Sequence, residues 1–332
     1  MTREWCNPFH PTGEAGSARD APLRIWQMQV RKDLFIFLDD TRRQYLRFTE
    51  MLKERDRRPL RGQVVYVAGR AGAGKTSFIE HCVYHILRNP PQESDDRGEL
   101  TDSAVRTVDL SGSPVPSDHS EAALTAFCQD VYNDTLAQVA VDDNGLWLSD
   151  DEWSELEGHT FKNGFFKLRS TLQKRAAVVV VILPPQIPLV WVKEFVAAAW
   201  PRVTFLIEGD DITKPTFDSV VGTAQNRTTF FARVGLLQDG DVAEFVRSRW
   251  ERTDLPHGFP DIPAPTLNYI IKNMSYMPEP VIRVFDNLFK ILIDTAIEEN
   301  VEKVDEAFFH RVLYKRIISW NHLVRTPRED EA

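Results

Sequence analysis

The sequence predicts an α/β fold: a three-layer sandwich around a mostly parallel β-sheet, followed by a small all-helical subdomain. Between residues 61 and 236, short apolar runs rich in β-branched residues alternate with longer amphipathic segments, which is typical of a sheet buried on both faces. After residue 237 the strand-like runs stop, and apolar residues recur at helical spacing. We therefore expect an N-terminal arm and helix (1–60), an α/β core (61–236), a helical subdomain (237–325) and a polar tail (326–332).

The individual elements follow from the same patterns. Buried parallel strands appear as short continuous apolar runs, whereas helices show a period near 3.6 residues. The predicted strands are Gln63–Ala68, Ala104–Leu110, Ala176–Leu183 and Val203–Ile207. The predicted helices are Leu23–Glu54, Ser77–Leu87, Glu121–Val141, Phe161–Lys174, Leu189–Trp200, Asp241–Trp250, Thr266–Met274, Glu279–Asn300 and Val304–Trp320. The polar segments 90–103 and 142–158 are expected to be surface loops.

Composition and charge narrow the class of protein. The 332 residues are 42% hydrophobic and 27% charged, a balance typical of globular proteins. A formal net charge of −9 disfavours a protein that mainly coats nucleic acid, so a nucleic-acid partner is possible but not favoured. Cys6, Cys82 and Cys128 lack the spacing of a zinc or redox site, as expected for thiols in a reducing compartment.

No membrane segment is expected. The first residues have no apolar run of the kind that a secretory signal needs. The most apolar stretch, 176–183, is much shorter than the roughly 20 residues that span a bilayer. We therefore expect a cytoplasmic protein.

One motif carries the chemistry. Gly69–Thr76 reads Gly-Arg-Ala-Gly-Ala-Gly-Lys-Thr and matches G-x-x-x-x-G-K-[ST] at every fixed position, between a predicted strand and a predicted helix. Glycines let successive N–H groups face one anion, and the helix N-terminus adds a positive dipole end. Lys75 is expected to bind the β- and γ-phosphates, and Thr76 to bind Mg²⁺. The predicted nucleotide-binding residues of this phosphate-binding loop (P-loop) are Gly69, Arg70, Ala71, Gly72, Ala73, Gly74, Lys75, Thr76 and Ser77.

The acids that hydrolysis requires are not where they are expected. ATP hydrolysis needs an acidic residue near the magnesium ion, normally at the end of another central strand. After the most apolar strand these positions are Pro184 and Pro185, which can neither bind Mg²⁺ through a side chain nor activate water. Either Glu208 or Asp210, after the next strand, is the catalytic acid, or both belong to a solvated turn and hydrolysis is slow or absent; we favour the second alternative. Asp109 is a third candidate, for which a local turn role is favoured.

Three arginines are candidates for a second contact with the nucleotide. Arg227 and Arg233 follow the fourth strand and could act as an arginine finger on a neighbouring subunit. Arg283 begins a long helix of the helical subdomain and could bind the nucleotide of its own chain. For each of them the simpler alternative is an exposed or salt-bridged arginine.

Two tryptophans lie in an acidic segment. Trp147 and Trp153 are surrounded by aspartates and glutamates between residues 142 and 158. Exposed aromatic residues often mark interfaces, so they could form a docking surface for a partner protein. The alternative is that this segment folds its own tryptophans inward.

The chain as a whole resembles the AAA+/STAND group of P-loop ATPases, in particular bacterial members of the origin-recognition and transposition-regulator type. Gly69–Thr76 matches the Walker A motif of that group, and Arg283 is the best match to its sensor 2 arginine. Three further segments resemble the adenine-pocket arm, the strand and helix that lead into the lid, and the last lid helix: Asn7–Phe9, Ala232–Val246 and Val301–Tyr314. The resemblance implies ATP or ADP with Mg²⁺ and a helical lid, while Pro184 and Pro185 stand where its members have acids.

Three functions remain open at this point. The favoured one is an ATP-binding regulatory ATPase or switch that acts through a protein partner or self-assembly, with weak or absent hydrolysis. The second is an active ATPase that remodels protein or nucleic acid with Glu208 or Asp210 as the acid. The third is a non-catalytic subunit in which the nucleotide is structural. The absence of a guanine-reading Asn-Lys-x-Asp motif favours ATP over GTP.

Overall fold

The computed structural model describes residues 8–9, 36, 38–56, 62–90, 92–94, 100–102, 104–142, 145–222, 228–235, 237–238, 240–251, 258–274 and 281–315. The chain divides into two compact units. The sheet unit consists of Arg43–Gly69 and Phe78–Val234. The helical unit consists of Met1–Arg42, Arg70–Ser77 and Gly235–Ala332.

The secondary structure alternates between strands and helices up to Arg233 and is then helical. The strands are β1 (Gln63–Ala68), β2 (Gln92–Ser94), β3 (Leu100–Asp102), β4 (Ala104–Asp109), β5 (Val141–Asp142), β6 (Gly145–Leu146), β7 (Ala177–Ile182), β8 (Val203–Gly209) and β9 (Thr228–Arg233). The helices are α1 (Asp39–Asp56), α2 (Lys75–Arg88), α3 (Glu121–Ala140), α4 (Asp150–Leu156), α5 (Phe161–Lys174), α6 (Val192–Ala198), α7 (Lys214–Val221), α8 (Asp241–Trp250), α9 (Ala264–Met274), α10 (Ile282–Glu298) and α11 (Glu306–Lys315). A short 3-10 helix, Leu189–Trp191, precedes α6.

Five parallel strands form the main sheet of the sheet unit, in the order β4-β7-β8-β1-β9. Every residue of β1 and β7 is buried, as their continuous apolar sequences require. The predicted α/β fold with a parallel sheet is therefore confirmed. Since β1 lies between β8 and β9, the carboxyl end of β8 is beside that of β1, with Glu208 opposite Val67.

The structure differs from the predicted elements where segments are short. The expected loop 90–103 contains the hairpin β2–β3, and the expected loop 142–158 contains parts of the β5–β6 hairpin and α4. Helix α4 has a sequence signal, because Ser149 and Glu152 form a capping box at its start. Helix α7 and strand β9 were not predicted as separate elements. The predicted residues 23–35, Asn7, Arg227 and 316–320 lie outside the described residues.

The helical unit has an apolar core of its own, formed mainly by α8, α9, α10 and α11. Phe9 is buried in this core, where its ring stacks on Phe289 at 5.3 Å and meets the edge of Trp250 at 5.4 Å. The arm residue thus contributes packing to the helices. Within the described part of the chain, every helix is too short or too polar to span a membrane.

Gly164 tests the packing between α3 and α5. A Cβ at Gly164 would lie 2.2 Å from Cζ of Tyr132, whose hydroxyl donates a 2.7 Å hydrogen bond to the Leu156 carbonyl. We predict that Gly164→Ala destabilises the protein by about 1–3 kcal/mol through overpacking, although alanine gains about 1 kcal/mol of helix propensity over glycine. Thermal unfolding measures the change. Gly112→Ala is the control, since no atom lies within 4 Å of its added Cβ; equal stability of the two variants would contradict the prediction.

Candidate nucleotide-binding site

The predicted phosphate-binding loop has the backbone that its glycines allow. Gly72 and Gly74 have φ angles of 78° and 89°, in the left-handed region that side chains disfavour. The Ala73 N–H donates to the Arg70 carbonyl at 3.2 Å, which closes a turn. Helix α2 begins at Lys75, directly after this turn. The loop therefore leads its N–H groups into a helix N-terminus, the arrangement that binds anions in other proteins.

The two polar side chains of the motif stand at the start of α2. The Lys75 ammonium donates to the Arg70 carbonyl at 3.0 Å, and only 9% of the residue is exposed. Thr76 is half-buried in the first helical turn. Because Lys75 is held by the loop itself, its positive charge stays on the loop and does not extend into solvent.

Arg283 contacts the same loop within the helical unit. Its backbone N–H, in the first turn of α10, donates to the Gly72 carbonyl at 3.3 Å. Its side chain lies over Gly72 so closely that a Cβ there would be 2.8 Å from Cβ and 3.4 Å from Nε of Arg283. Gly72 is thus required both for its φ angle and for this close approach. The structure places Arg283 against the loop, and its predicted contact with the nucleotide stays a prediction.

Gly235 is a second contact on the loop, and sequence reasoning missed it. Its φ angle is 89°, and an added Cβ would be 2.3 Å from the Ala73 Cβ. The only sequence signal is a glycine shortly after an apolar strand, which does not distinguish it from other turn glycines.

The strand end that lacks acids is a proline turn. Leu183 and Pro184 are buried after β7, and Gln186 has a φ angle of 68° in the turn that follows. A left-handed non-glycine residue costs roughly 1–2 kcal/mol, so the surrounding chain holds this turn in place. The turn presents proline side chains at the two positions where acids were expected.

The candidate acids Glu208 and Asp210 lie at the carboxyl end of β8. Glu208 is half-buried and Asp210 is exposed. Gly209 between them makes room for Tyr66, because an added Cβ would be 1.9 Å from the tyrosine Oη. Burial raises the pKa of the Tyr66 phenol to about 12, and the Asp210 carboxylate adds to the shift. Asp210 therefore lies beside a neutral phenol at physiological pH.

Asp109, a candidate acid, and Arg233, a candidate arginine finger, have partners within the sheet unit. Asp109 accepts the N–H of Ser111 at 2.9 Å, the local turn contact that the sequence favoured. Arg233 forms two hydrogen bonds with Asp211, from Nε at 2.6 Å and from Nη2 at 2.9 Å. A bidentate pair of this kind restrains the guanidinium, so Arg233 is salt-bridged in this structure.

The tryptophans of the acidic segment pack inward. Trp147 is half-buried, with the guanidinium carbons of Arg106 and Arg175 at 4.8 and 4.9 Å from its ring centre. Trp153 packs against the core of the sheet unit. These contacts favour the inward-folded alternative over a docking surface.

No group of three or more His, Cys, Asp or Glu side chains that could hold a metal ion occurs among the described residues. Magnesium commonly keeps several waters and binds to substrate phosphates with only one or two protein ligands. The hydroxyl of Thr76 with nucleotide phosphates is compatible with that chemistry.

Comparisons with solved structures concern the fold. The chain is similar to Cdc6p from Pyrobaculum aerophilum, with a TM-score of 0.49, 14% identity and coverage of 82% of this chain and 66% of that one. The Aeropyrum pernix ORC1 protein, solved in complex with DNA, has a TM-score of 0.47 and 11% identity, with coverage of 84% of this chain and 66% of that one. Domain III of the Thermotoga maritima replication initiation protein DnaA has a TM-score of 0.43 and 13% identity, with coverage of 85% of this chain and 95% of that one. A shared fold does not carry a function with it.

No protein-family model matches the sequence. No curated protein matches it either. The function of the chain is therefore inferred from its own residues.

Glu152 makes the stability of the fold depend on pH. Hydrogen bonds from Arg175, one of them from Nε at 3.2 Å, lower the pKa of this carboxyl from 4.5 to about 2. Because the folded-state pKa is depressed, its stabilisation is complete above pH 4.5 and is lost as the pH falls towards 2. We predict that the urea midpoint of the wild type falls more steeply over this range than that of Glu152→Gln. Parallel pH profiles of the two proteins would contradict this.

Proposed function

We propose that this chain is an ATP-binding regulatory ATPase or switch of the AAA+/STAND type, with weak or absent hydrolysis. The observation that supports it most is the contact between the loop and Arg283, since the Arg283 N–H donates to the Gly72 carbonyl at 3.3 Å. A phosphate-binding loop and a cation from a helical subdomain thus belong to one compact unit.

The residues of the loop fit a nucleoside triphosphate with magnesium. The left-handed Gly72 and Gly74 would let the backbone N–H groups converge on phosphate oxygens. Lys75 would exchange its hydrogen bond with the Arg70 carbonyl for one with a phosphate oxygen, which is stronger because the acceptor is then charged as well as the donor. Thr76 would be the protein ligand of Mg²⁺, which neutralises phosphate charge when bound.

Arg283 is the residue through which ATP and ADP would act differently. A ligand shifts a conformational equilibrium only if it binds the two states with different affinity. The guanidinium carries a permanent positive charge next to Gly72, so an added phosphate near it would strengthen its hold on the loop. We propose that ATP stabilises the contact between α10 and the loop more than ADP does. A protein partner or a second copy of the chain then binds this ATP-stabilised state preferentially.

Slow hydrolysis is part of the proposal because the expected acids are missing. Pro184 and Pro185 follow β7, and Asp109 and Asp211 are engaged with Ser111 and Arg233. Glu208 and Asp210 are the remaining candidates for the alternative, an active ATPase that remodels protein or nucleic acid. A nucleotide that never exchanges would instead favour the structural role.

Nucleotide binding is the first test. We predict that wild type binds Mg-ATP more tightly than Mg-ADP, and that Lys75→Ala weakens both by at least about tenfold through the loss of charge-assisted hydrogen bonds. Arg283→Ala should lower the affinity for ATP more than that for ADP. Isothermal titration calorimetry measures both affinities.

The control for this test is Arg247→Ala, which removes an exposed arginine of the same unit from α8. Equal affinities of wild type for ATP and ADP would refute the switch. So would an Arg283→Ala variant that binds both nucleotides as Arg247→Ala does.

Turnover is the second test. We predict that steady-state phosphate release by wild type stays near that of Lys75→Ala, because Pro184 and Pro185 occupy the positions where acids were expected. Turnover lost in Glu208→Gln or Asp210→Asn, but kept in the control Asp218→Asn, would establish the active ATPase instead. Asp218 is an exposed acid of α7 and pairs with Lys214 at 2.6 Å, so it controls for charge alone.

A further inference from the structure

We propose that Gly235 is a positioning residue for the phosphate-binding loop. Because Gly235 has no side chain, Ala73 can occupy its position in the loop, and the affinity for nucleotide depends on that position. This inference rests on the proposed function. It adds to the loop a second contact from the helical unit, independent of Arg283.

The chain reaches Gly235 directly from the sheet. Strands β1 and β9 are parallel neighbours, and their pairing continues to Val234, whose N–H donates to the Ala68 carbonyl at 2.9 Å. The loop leaves β1 one residue after Ala68, and Gly235 is the residue after Val234. The loop and the segment at Gly235 therefore each begin one residue after a hydrogen-bonded pair, Ala68 and Val234.

The contact at Gly235 has no space for a side chain. An added Cβ would lie 2.3 Å from the Ala73 Cβ, 3.0 Å from its Cα and 3.2 Å from its carbonyl oxygen. The contact with the Ala73 Cβ is too short to exist without movement, and the Cα and carbonyl oxygen of the loop backbone are already tight at 3.0 and 3.2 Å. Ala73 is itself buried, so it has little room to retreat.

Ala73 is the residue whose displacement would matter most for phosphate binding. It lies between the two left-handed glycines Gly72 and Gly74, and its N–H closes the turn to Arg70. Arg283 covers Gly72 on one side of it, so the loop is held at two successive residues. Binding geometry displaced by about 1 Å can cost on the order of a hundredfold in function. A methyl group at Gly235 would thus weaken nucleotide binding without touching the nucleotide.

Gly240 provides a matched control in the same unit. Its φ angle of 96° is close to the 89° of Gly235, so alanine suffers similar backbone strain at both positions. An added Cβ at Gly240, however, has no atom within 4 Å. The difference between Gly235→Ala and Gly240→Ala therefore isolates the collision with Ala73 from the cost of the conformation.

The experiment is a calorimetric titration of Mg-ATP into wild type, Gly235→Ala, Gly240→Ala and the double variant Ala73→Gly/Gly235→Ala. Thermal unfolding without nucleotide verifies that each is folded. We expect Gly235→Ala to bind at least about tenfold more weakly than Gly240→Ala. The double variant should recover part of the affinity, because it lacks the methyl group that collides first. A merely structural glycine would not show this rescue of binding.

The outcomes separate the two proposals. Wild type that binds no nucleotide would overturn both. Wild type that binds, with Gly235→Ala within about twofold of Gly240→Ala, would overturn the role of Gly235 alone. If Gly235→Ala does not fold, Ala73→Gly/Gly235→Ala is compared with Ala73→Gly. Weaker binding by the double variant then supports the inference, since the Cα and carbonyl contacts remain tight, and equal binding overturns it.

Discussion

The left-handed backbone at Gly72 and Gly74 is the constraint on which the candidate site depends. These two residues turn the chain from the end of β1 into the start of α2 within a few residues. A side chain at either position would resist the required φ angle. The turn leads into a helix N-terminus, where backbone N–H groups and the helix dipole favour an anion. The site is thus made of backbone first, and Lys75 and Thr76 add charge and a hydroxyl to it.

Residues Arg70–Ser77 of the same loop belong to the helical unit. Arg283 bonds to the Gly72 carbonyl, and Gly235 packs against Ala73. Both contacts join the loop to other segments of the same compact unit. A shift of the loop therefore displaces the residues around Arg283 and Gly235. Backbone contacts of this closeness tolerate little displacement, because packed interiors have few voids. This coupling is the physical basis of the proposed switch.

The proposed slow hydrolysis rests on the turn that follows β7. The turn at Pro184 and Pro185 continues through the left-handed Gln186, and it has no carboxylate to offer. The neighbouring strand β8 ends in acids, but Gly209 there serves to admit the Tyr66 phenol. Nucleotide binding and hydrolysis make separate chemical demands, so a chain that binds a nucleotide need not hydrolyse it.

The sequence by itself determined the parallel sheet, the phosphate-binding loop and the helical character after residue 237. Continuous apolar runs, the glycine spacing of one motif and helical periodicity are local signals that can be read directly from the sequence. Helix α4 could have been found the same way, from the capping box of Ser149 and Glu152.

Only the tertiary structure decided which distant residues meet. The contact of Gly235 with Ala73, the stacking of Arg106 and Arg175 on Trp147, and the pair of Arg233 with Asp211 join residues far apart in the chain. A glycine, a tryptophan or an arginine looks the same in sequence whether or not it has such a partner. These contacts form only when distant parts of each unit pack together, which no single segment of the sequence encodes.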